Sequence, residues 1–314
     1  MTIAVTFPGQ GSQSIGMGAS LIEGSAAAKA VFQEVDEALG EKLSDIILNG
    51  PEDTLTLTAN AQPALMAVSI AAMRALEEKG FSLSENAAFV AGHSLGEYSA
   101  LCAAGTFTLA DTARLLRIRG NAMQAAVPVG NGAMAAIIGL EHSDVVEICT
   151  QASQTGACQI ANDNGGGQLV ISGVAGAVEI AVGLASDKGA KRAMLLSVSA
   201  PFHSTLMQPA ADAMAEALSD VAMNDPIVPL IANVSAQPIQ NAEKIRELLV
   251  EQVTGQVRWR ETIEWLGQNG VETLMEVGSG KVLSGLARRI NRDLKSVNVS
   301  AFEDIEKAFE AISS

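Results

Sequence analysis

Ala87-Ala88-Phe89-Val90-Ala91-Gly92-His93-Ser94-Leu95-Gly96-Glu97 is an apolar run that ends in Gly-x-Ser-x-Gly and passes into residues with helical spacing. Residues 87–91 read as a short buried strand, and the segment that begins at Ser94 turns helical through Leu101. Glycines flank the serine because a sharp strand-to-helix turn leaves no room for Cβ atoms there. The turn sets the hydroxyl at the positive end of a helix, where a nucleophile is exposed and negative charge is stabilised. By itself the pattern is weak, since about 0.2 matches are expected by chance in such a chain, and the strand and helix around it give it weight. The competing reading is that Ser94 only caps the helix.

Working outward, residues 3–7 form a second apolar, β-rich run closed by Pro8-Gly9. A glycine- and serine-rich loop follows over 9–18, then a helix over 19–38. Residues 61–79 carry apolar side chains at helical spacing, with Asn60 as the expected N-cap, Pro63 in the first turn and Gly80 as the stop. Further strands are expected at 227–233 and 273–277, each followed by a helix. Strands that alternate with helices predict a parallel sheet covered on both faces.

Between residues 126 and 199 the texture changes. Strands are expected at 133–140, 158–162, 168–172 and 193–198, helices at 143–151 and 175–186, and a hairpin turn at Gly165-Gly166-Gly167. The order βαββαβ is the ferredoxin-like split unit. The fold expected is therefore α/β, with one large domain from residues 1–125 and 200–314 and an inserted ferredoxin-like domain at 126–199.

Composition narrows the function. The 314 residues are 48% hydrophobic and 18% charged, with 29 glycines and 9 prolines, which excludes a disordered or collagenous chain. A net charge of -15 and a pI near 4.6 leave no global field for polyanions, so neither nucleic acid nor a membrane surface is an expected partner. The start lacks a targeting signal and no apolar stretch is long enough to span a bilayer. Cys102, Cys149 and Cys158 fall in buried segments and make no disulfide framework, so the expected location is the cytoplasm. Three scattered histidines and no Cys-x-x-Cys leave no metal motif.

A serine nucleophile needs a general base, and the histidines offer three choices. His93 adjoins the serine, where neighbouring side chains diverge, and is expected to pack or hydrogen-bond beneath the turn. His142 opens a helix of the insert among Glu141, Ser143 and Asp144 and is expected to be solvated. His203 stands in the loop Ser199-Ala200-Pro201-Phe202-His203-Ser204 at the end of the insert, where it can face the elbow. Ordinary hydrolases run Ser, Asp or Glu, then a late His; here no histidine follows His203, which weakens esterase and lipase readings. A backbone carbonyl can replace the acid by accepting from Nδ1, leaving Nε2 for the serine in a Ser-His dyad.

Phe7-Pro8-Gly9-Gln10-Gly11-Ser12-Gln13, Gln62-Pro63-Ala64, Gly92-His93-Ser94-Leu95-Gly96-Glu97, Arg117-Ile118-Arg119-Gly120 and Phe202-His203-Ser204 together resemble the malonyl-CoA:acyl carrier protein transacylase family, from Met1 to about Ser284. The resemblance implies an α/β-hydrolase-like large domain with the active site in the cleft beside the ferredoxin-like one. It implies that Ser94 is acylated, that His203 is base and then acid, and that the backbone carbonyl of Gln252 orients the imidazole. The N–H groups of Leu95 and Gln10 would form the oxyanion hole. Arg119 would hold the malonyl carboxylate through paired hydrogen bonds, although spacing alone does not choose among Arg114, Arg117 and Arg119. Asn162 resembles a position that faces the substrate cleft, and it could equally cap a turn.

The implied reaction is ping-pong transfer of malonyl from malonyl-CoA to the phosphopantetheine thiol of acyl carrier protein, by an acyltransferase of fatty-acid synthesis with no permanently bound cofactor; coenzyme A enters only as the substrate thioester. Acyl carrier protein is acidic, so docking is expected at the basic clusters Lys188 with Lys191 and Arg192, and Arg288 and Arg289 with Arg292. A monomer is expected. A serine thioesterase, a methylmalonyl transferase of a polyketide pathway and a non-catalytic carrier-protein scaffold stay open as alternatives.

Overall fold

The computed structural model describes residues 2–313 and contains two sheets. The strands are β1 (Ile3–Phe7), β2 (Phe89–Gly92), β3 (Gly132–Ile138), β4 (Cys158–Asp163), β5 (Gln168–Val174), β6 (Arg192–Leu195), β7 (Leu230–Ile231), β8 (Pro238–Ile239), β9 (Thr273–Val277) and β10 (Lys295–Val299). The larger sheet has the order β10-β9-β1-β2-β7-β8, parallel except for the β8 edge. The smaller is antiparallel, β4-β5-β3-β6, the strand order of a ferredoxin-like unit.

Burial on both faces explains why the central strands read as continuous apolar runs. Val5, Phe7 and Val90 pack into the main core with Leu65, Met66 and Leu101, while Ala4, Ala91 and Ile231 face Trp259, Ile263 and Leu286 on the other side. The small sheet has its own core of Ile137, Val145, Ile148, Ile171 and Val178. At the Gly165–Gly167 turn all three glycines adopt positive φ, which a side-chain-bearing residue would adopt only with strain. The end of β4 is stitched to the large sheet's side: Val257 N–H donates to Ala161 O at 2.8 Å, Asp163 N–H to Val257 O at 2.9 Å, and Arg260 Nε to Asp163 Oδ2 at 2.9 Å.

Several elements differ from the sequence reading. The long helix is Thr58–Glu78, so Asn60 is not its N-cap; its amide donates to Thr54 O at 2.8 Å. Pro63 consequently lies in the second turn, where it cannot donate to Ala59 O, and Arg117 Nη1 supplies that bond at 2.6 Å. Strand β7 spans only two residues because Pro226 and Pro229 lack N–H groups for the ladder. Strand β6 ends at Leu195 as an edge with Met194 and Leu195 exposed, and the chain then turns, Val198 N–H donating to Leu196 O. Strand β10 was not expected: it carries exposed Lys295 and Ser296, and its apolar signal is limited to the alternating Val297 and Val299, of which Val299 is buried in the core. His142 is half-buried rather than freely solvated. The three cysteines are buried and free, with Cys149 and Cys158 sulfurs 3.9 Å apart.

Candidate active site

Ser94 stands between β2 and the helix Leu95–Ala103 with φ 54° and ψ -111°, a conformation that costs a non-glycine residue about 1–3 kcal/mol. Two remote side chains hold it there. Asn233, just beyond β7, accepts from Ser94 N–H at 2.8 Å and donates from Nδ2 to Gly92 O at 2.7 Å; Gln252 Nε2 donates to Ser94 O at 3.0 Å. The flanking glycines are required by contact: a Cβ at Gly92 would lie 1.9 Å from Gly96 O, and one at Gly96 would lie 2.2 Å from Phe7 O. Although Ser94 occupies the N-cap position, its side chain caps nothing, which leaves Oγ free for other partners.

His203 also sits at positive φ, 55°, in the loop that follows β6. Its Nδ1–H donates to Gln252 O at 2.9 Å, which fixes the tautomer and leaves Nε2 to accept from Ser94 Oγ at 2.8 Å. Gln159 on β4 donates to His203 O at 3.3 Å and accepts from Thr205 N–H at 3.0 Å, so the small sheet helps hold the loop. The ring is 3% exposed; burial, aided by the Arg119 charge, pulls its pKa from the usual 6.5 down to about 3. The imidazole is neutral at physiological pH and able to take a proton.

Arg119 is 1% exposed. Its Nη1 donates to Gln62 Oε1 at 2.7 Å, and its Nη2 to Gln252 Oε1 at 2.8 Å and to Ser94 Oγ at 3.1 Å. The guanidinium carbon lies 5.6 Å from the Tyr98 ring centroid, and its Nε has no hydrogen-bond acceptor among the described residues. Burial lowers the pKa of Arg119, with the charges of Tyr98 and Glu97 acting the other way. The site thus holds a buried cation with an unused donor, in contact with the Ser94 hydroxyl. Arg114 and Arg117 do not compete for this role: Arg114 pairs with Asp111 and Arg117 with Glu41 and Asn60.

A cavity of about 380 Å³ opens over this group. Ser94, His203, Arg119, Gln10 and Asn162 all line it, with Leu196, Val198 and Phe202 as its apolar wall. A serine hydroxyl paired to a neutral imidazole beside a buried guanidinium is an arrangement that acyl-transfer chemistry can use.

Comparison with known proteins agrees with this chemistry. The acyl transferase domain family matches residues 5–304. The chain belongs to that family. This acyl transferase is 48% identical over 311 residues to the malonyl CoA-acyl carrier protein transacylase of Bacillus subtilis, covering 99% of this chain and 97% of the other. The crystal structure of acyl-carrier-protein-S-malonyltransferase from Bartonella henselae superposes with a TM-score of 0.98 at 67% identity over the whole of both chains. A malonyl-transacylase solved in complex with its type II PKS acyl-carrier protein is 41% identical, with a TM-score of 0.96 over 99% of this chain and 100% of that one.

Other sequence-predicted residues of the acyl transferase fall in different places. Leu95 directly follows the nucleophile and is buried; neither its N–H nor that of Gln10 donates to a protein acceptor among the described residues. The Gln10 side chain donates to Thr58 Oγ1 at 3.2 Å at the cavity rim. Asn162 follows a bulge in β4 and bridges to Val257, and its side chain caps no turn. His93 lines the same cavity, where its Nε2 pairs with Asn164 Oδ1 at 2.9 Å. Of the basic clusters, Lys188 is held by Asp144 and Glu147, whereas Lys191, Arg192, Arg288 and Arg289 are exposed; Arg289 reaches Gln168 Oε1 at 3.0 Å beside the glycine turn. Among the described residues no cluster of His, Cys, Asp and Glu could hold a metal ion, and no helix is long and apolar enough to cross a membrane.

Sequence reasoning missed Asn233 and Glu97 as parts of the site. Asn233 lies at the carboxyl end of a parallel strand next to β2, the position where ligand-binding residues gather in such sheets, and that was the available signal. Glu97 lay inside the quoted motif, but its partner is 155 residues away in sequence.

Proposed function

We propose that the chain transfers a malonyl group from malonyl-CoA to the phosphopantetheine thiol of acyl carrier protein through a malonyl-serine ester. Ser94 Oγ gives its proton to His203 Nε2 and attacks the thioester carbon. The oxyanion is held by the N–H groups of Leu95 and Gln10, two donors without protein acceptors. Collapse breaks the C–S bond and coenzyme A leaves as the thiol with the proton from His203. In the second half the carrier's thiol gives its proton to His203, attacks the ester, and Ser94 recovers its proton. Every acid, base and charge in this scheme is a protein group, so no resident cofactor is required.

The observation that carries this reading is Arg119, a buried guanidinium 3.1 Å from the nucleophile's oxygen. A malonyl group differs from acetyl by a carboxylate, and a cation at this spot rewards that difference. Asn162 lines the same cavity and is assigned to the substrate's polar atoms. The names of the relatives support both substrates. We place the reaction in the cytoplasm, in fatty-acid synthesis, and the working unit is the monomer, since nucleophile, base and cation come from one chain.

Intact-protein mass spectrometry tests the proposal. Malonyl-CoA should add one malonyl group at Ser94, acetyl-CoA should load poorly, and carrier protein should remove the adduct. Rapid release of free malonate would instead identify a thioesterase, and no mass increase would identify a non-catalytic scaffold.

A further inference from the structure

Glu97 is 1% exposed and lies one helical turn beyond Ser94, yet nothing in the acyl-transfer scheme uses it. Its Oε2 accepts from Gln252 Nε2 at 2.7 Å and from Asn233 N–H at 3.4 Å. It therefore touches both residues that clamp the nucleophile's backbone. Gln252 is saturated: its amide nitrogen donates to Glu97 and to Ser94 O, its amide oxygen accepts from Arg119, and its backbone carbonyl accepts from His203.

The two ends of a glutamine amide are nearly the same size, so surrounding donors and acceptors decide which way it faces. A carboxylate is an acceptor only, and a charge-assisted bond is about twice as strong as a neutral one. We propose that Glu97 is a positioning residue: its carboxylate fixes the orientation of the Gln252 amide, whose oxygen then holds Arg119 in place for the carboxylate of the acyl group. This rests on the assignment of Arg119 as the malonyl receptor. Burial pushes Glu97 up to about 7 against the opposing hydrogen bonds from Gln252 and Asn233 and the charge of Arg119. The anionic form that the tether uses therefore predominates above about pH 7, and the comparison of variants is made there.

The tether and a simple counter-charge predict opposite signs. If Glu97 only offset the charge of Arg119, removing it would strengthen the pull on an incoming carboxylate and lower KM for malonyl-CoA. If it aims Arg119 through Gln252, removing it raises KM. The test compares wild type, Glu97→Gln, Arg119→Ala and the double variant in malonyl-CoA loading and in turnover of p-nitrophenyl acetate, a substrate with no carboxylate for Arg119. Glu97→Gln should raise KM for malonyl-CoA about tenfold, the loss of part of one charge-assisted hydrogen bond, while p-nitrophenyl acetate turnover, which also depends on the Gln252 bond to Ser94 O, falls by a clearly smaller factor. The double variant should be no worse than Arg119→Ala, because both act on one interaction.

A lowered KM, equal losses on both substrates, additive effects in the double variant, or no change would each overturn the proposal. Arg119→Ala reports separately on its premise: if that variant does not favour the acetate over malonyl-CoA, the receptor assignment fails and the inference with it. Should Glu97→Gln not fold, Glu97→Asp carries the same test. It retains the charge but is one methylene too short for the 2.7 Å bond, and it should also raise KM for malonyl-CoA selectively.

Discussion

Replacing His203 with glutamine while lowering the pH measures the burial on which its role as base depends. The imidazole hydrogen-bonds at both nitrogens and is 3% exposed, and its pKa falls from 6.5 to about 3. The folded state therefore favours the neutral ring. As pH falls below 6.5 the unfolded chain takes up the proton first, so stability is fully present above 6.5 and is lost progressively toward 3. The full span corresponds to about 5 kcal/mol at ~1.36 kcal/mol per unit. Between about pH 7 and pH 5, wild type should lose about 2 kcal/mol relative to His203→Gln, because only the first one and a half units of the gap are crossed. Denaturant midpoints of the two proteins at each pH give this difference, and the effect of His93, common to both, cancels. The His203 ring resonance should stay unshifted over the same interval. A constant difference in stability, with that resonance titrating near 6.5, would show a hydrated imidazole and refute the reasoning from burial.

Two further outcomes are expected. Gly96→Ala places a Cβ 2.2 Å from Phe7 O and 2.9 Å from Pro8 O, and a central strand cannot yield, so thermal denaturation should show a loss of about 3 kcal/mol or more. Reversing Arg288 and Arg289 to glutamate should raise KM for carrier protein but leave loading from malonyl-CoA intact; both residues are exposed on the helix beside the Gly165–Gly167 turn and neither lines the cavity over Ser94, and equal losses in the two half-reactions would remove this face as the docking surface.

The central elements were legible because their signals are local. Residues 3–7 and 273–277 read as buried strands from their apolar runs, and they pair with each other in parallel inside the sheet. The insert showed itself by the order βαββαβ and by its glycine turn. The misreadings have local causes too. Asn60 has the chemistry of a cap, but Arg117 compensates for Pro63 and lets the helix start earlier. The prolines at 226 and 229 shortened β7 at its start, and β10, whose apolar signal is limited to Val297 and Val299, is held by its pairing with β9 and by Val299 in the core.

The strand-to-helix turn at Ser94 was legible from the chain alone, since a side chain at Gly92 is excluded by Gly96 four residues on, whereas at Gly96 it is excluded by Phe7 and Pro8 of the neighbouring strand and its loop. The sequence also narrowed the base to a histidine far down the chain. How these groups are joined follows from the folded core. Asn233, Gln252, Arg119 and Glu97 form one buried network around the serine, and each of its hydrogen bonds crosses a long stretch of sequence. Such a network has no periodicity to read, because its partners are selected by distance and desolvation in the folded core rather than by spacing along the backbone.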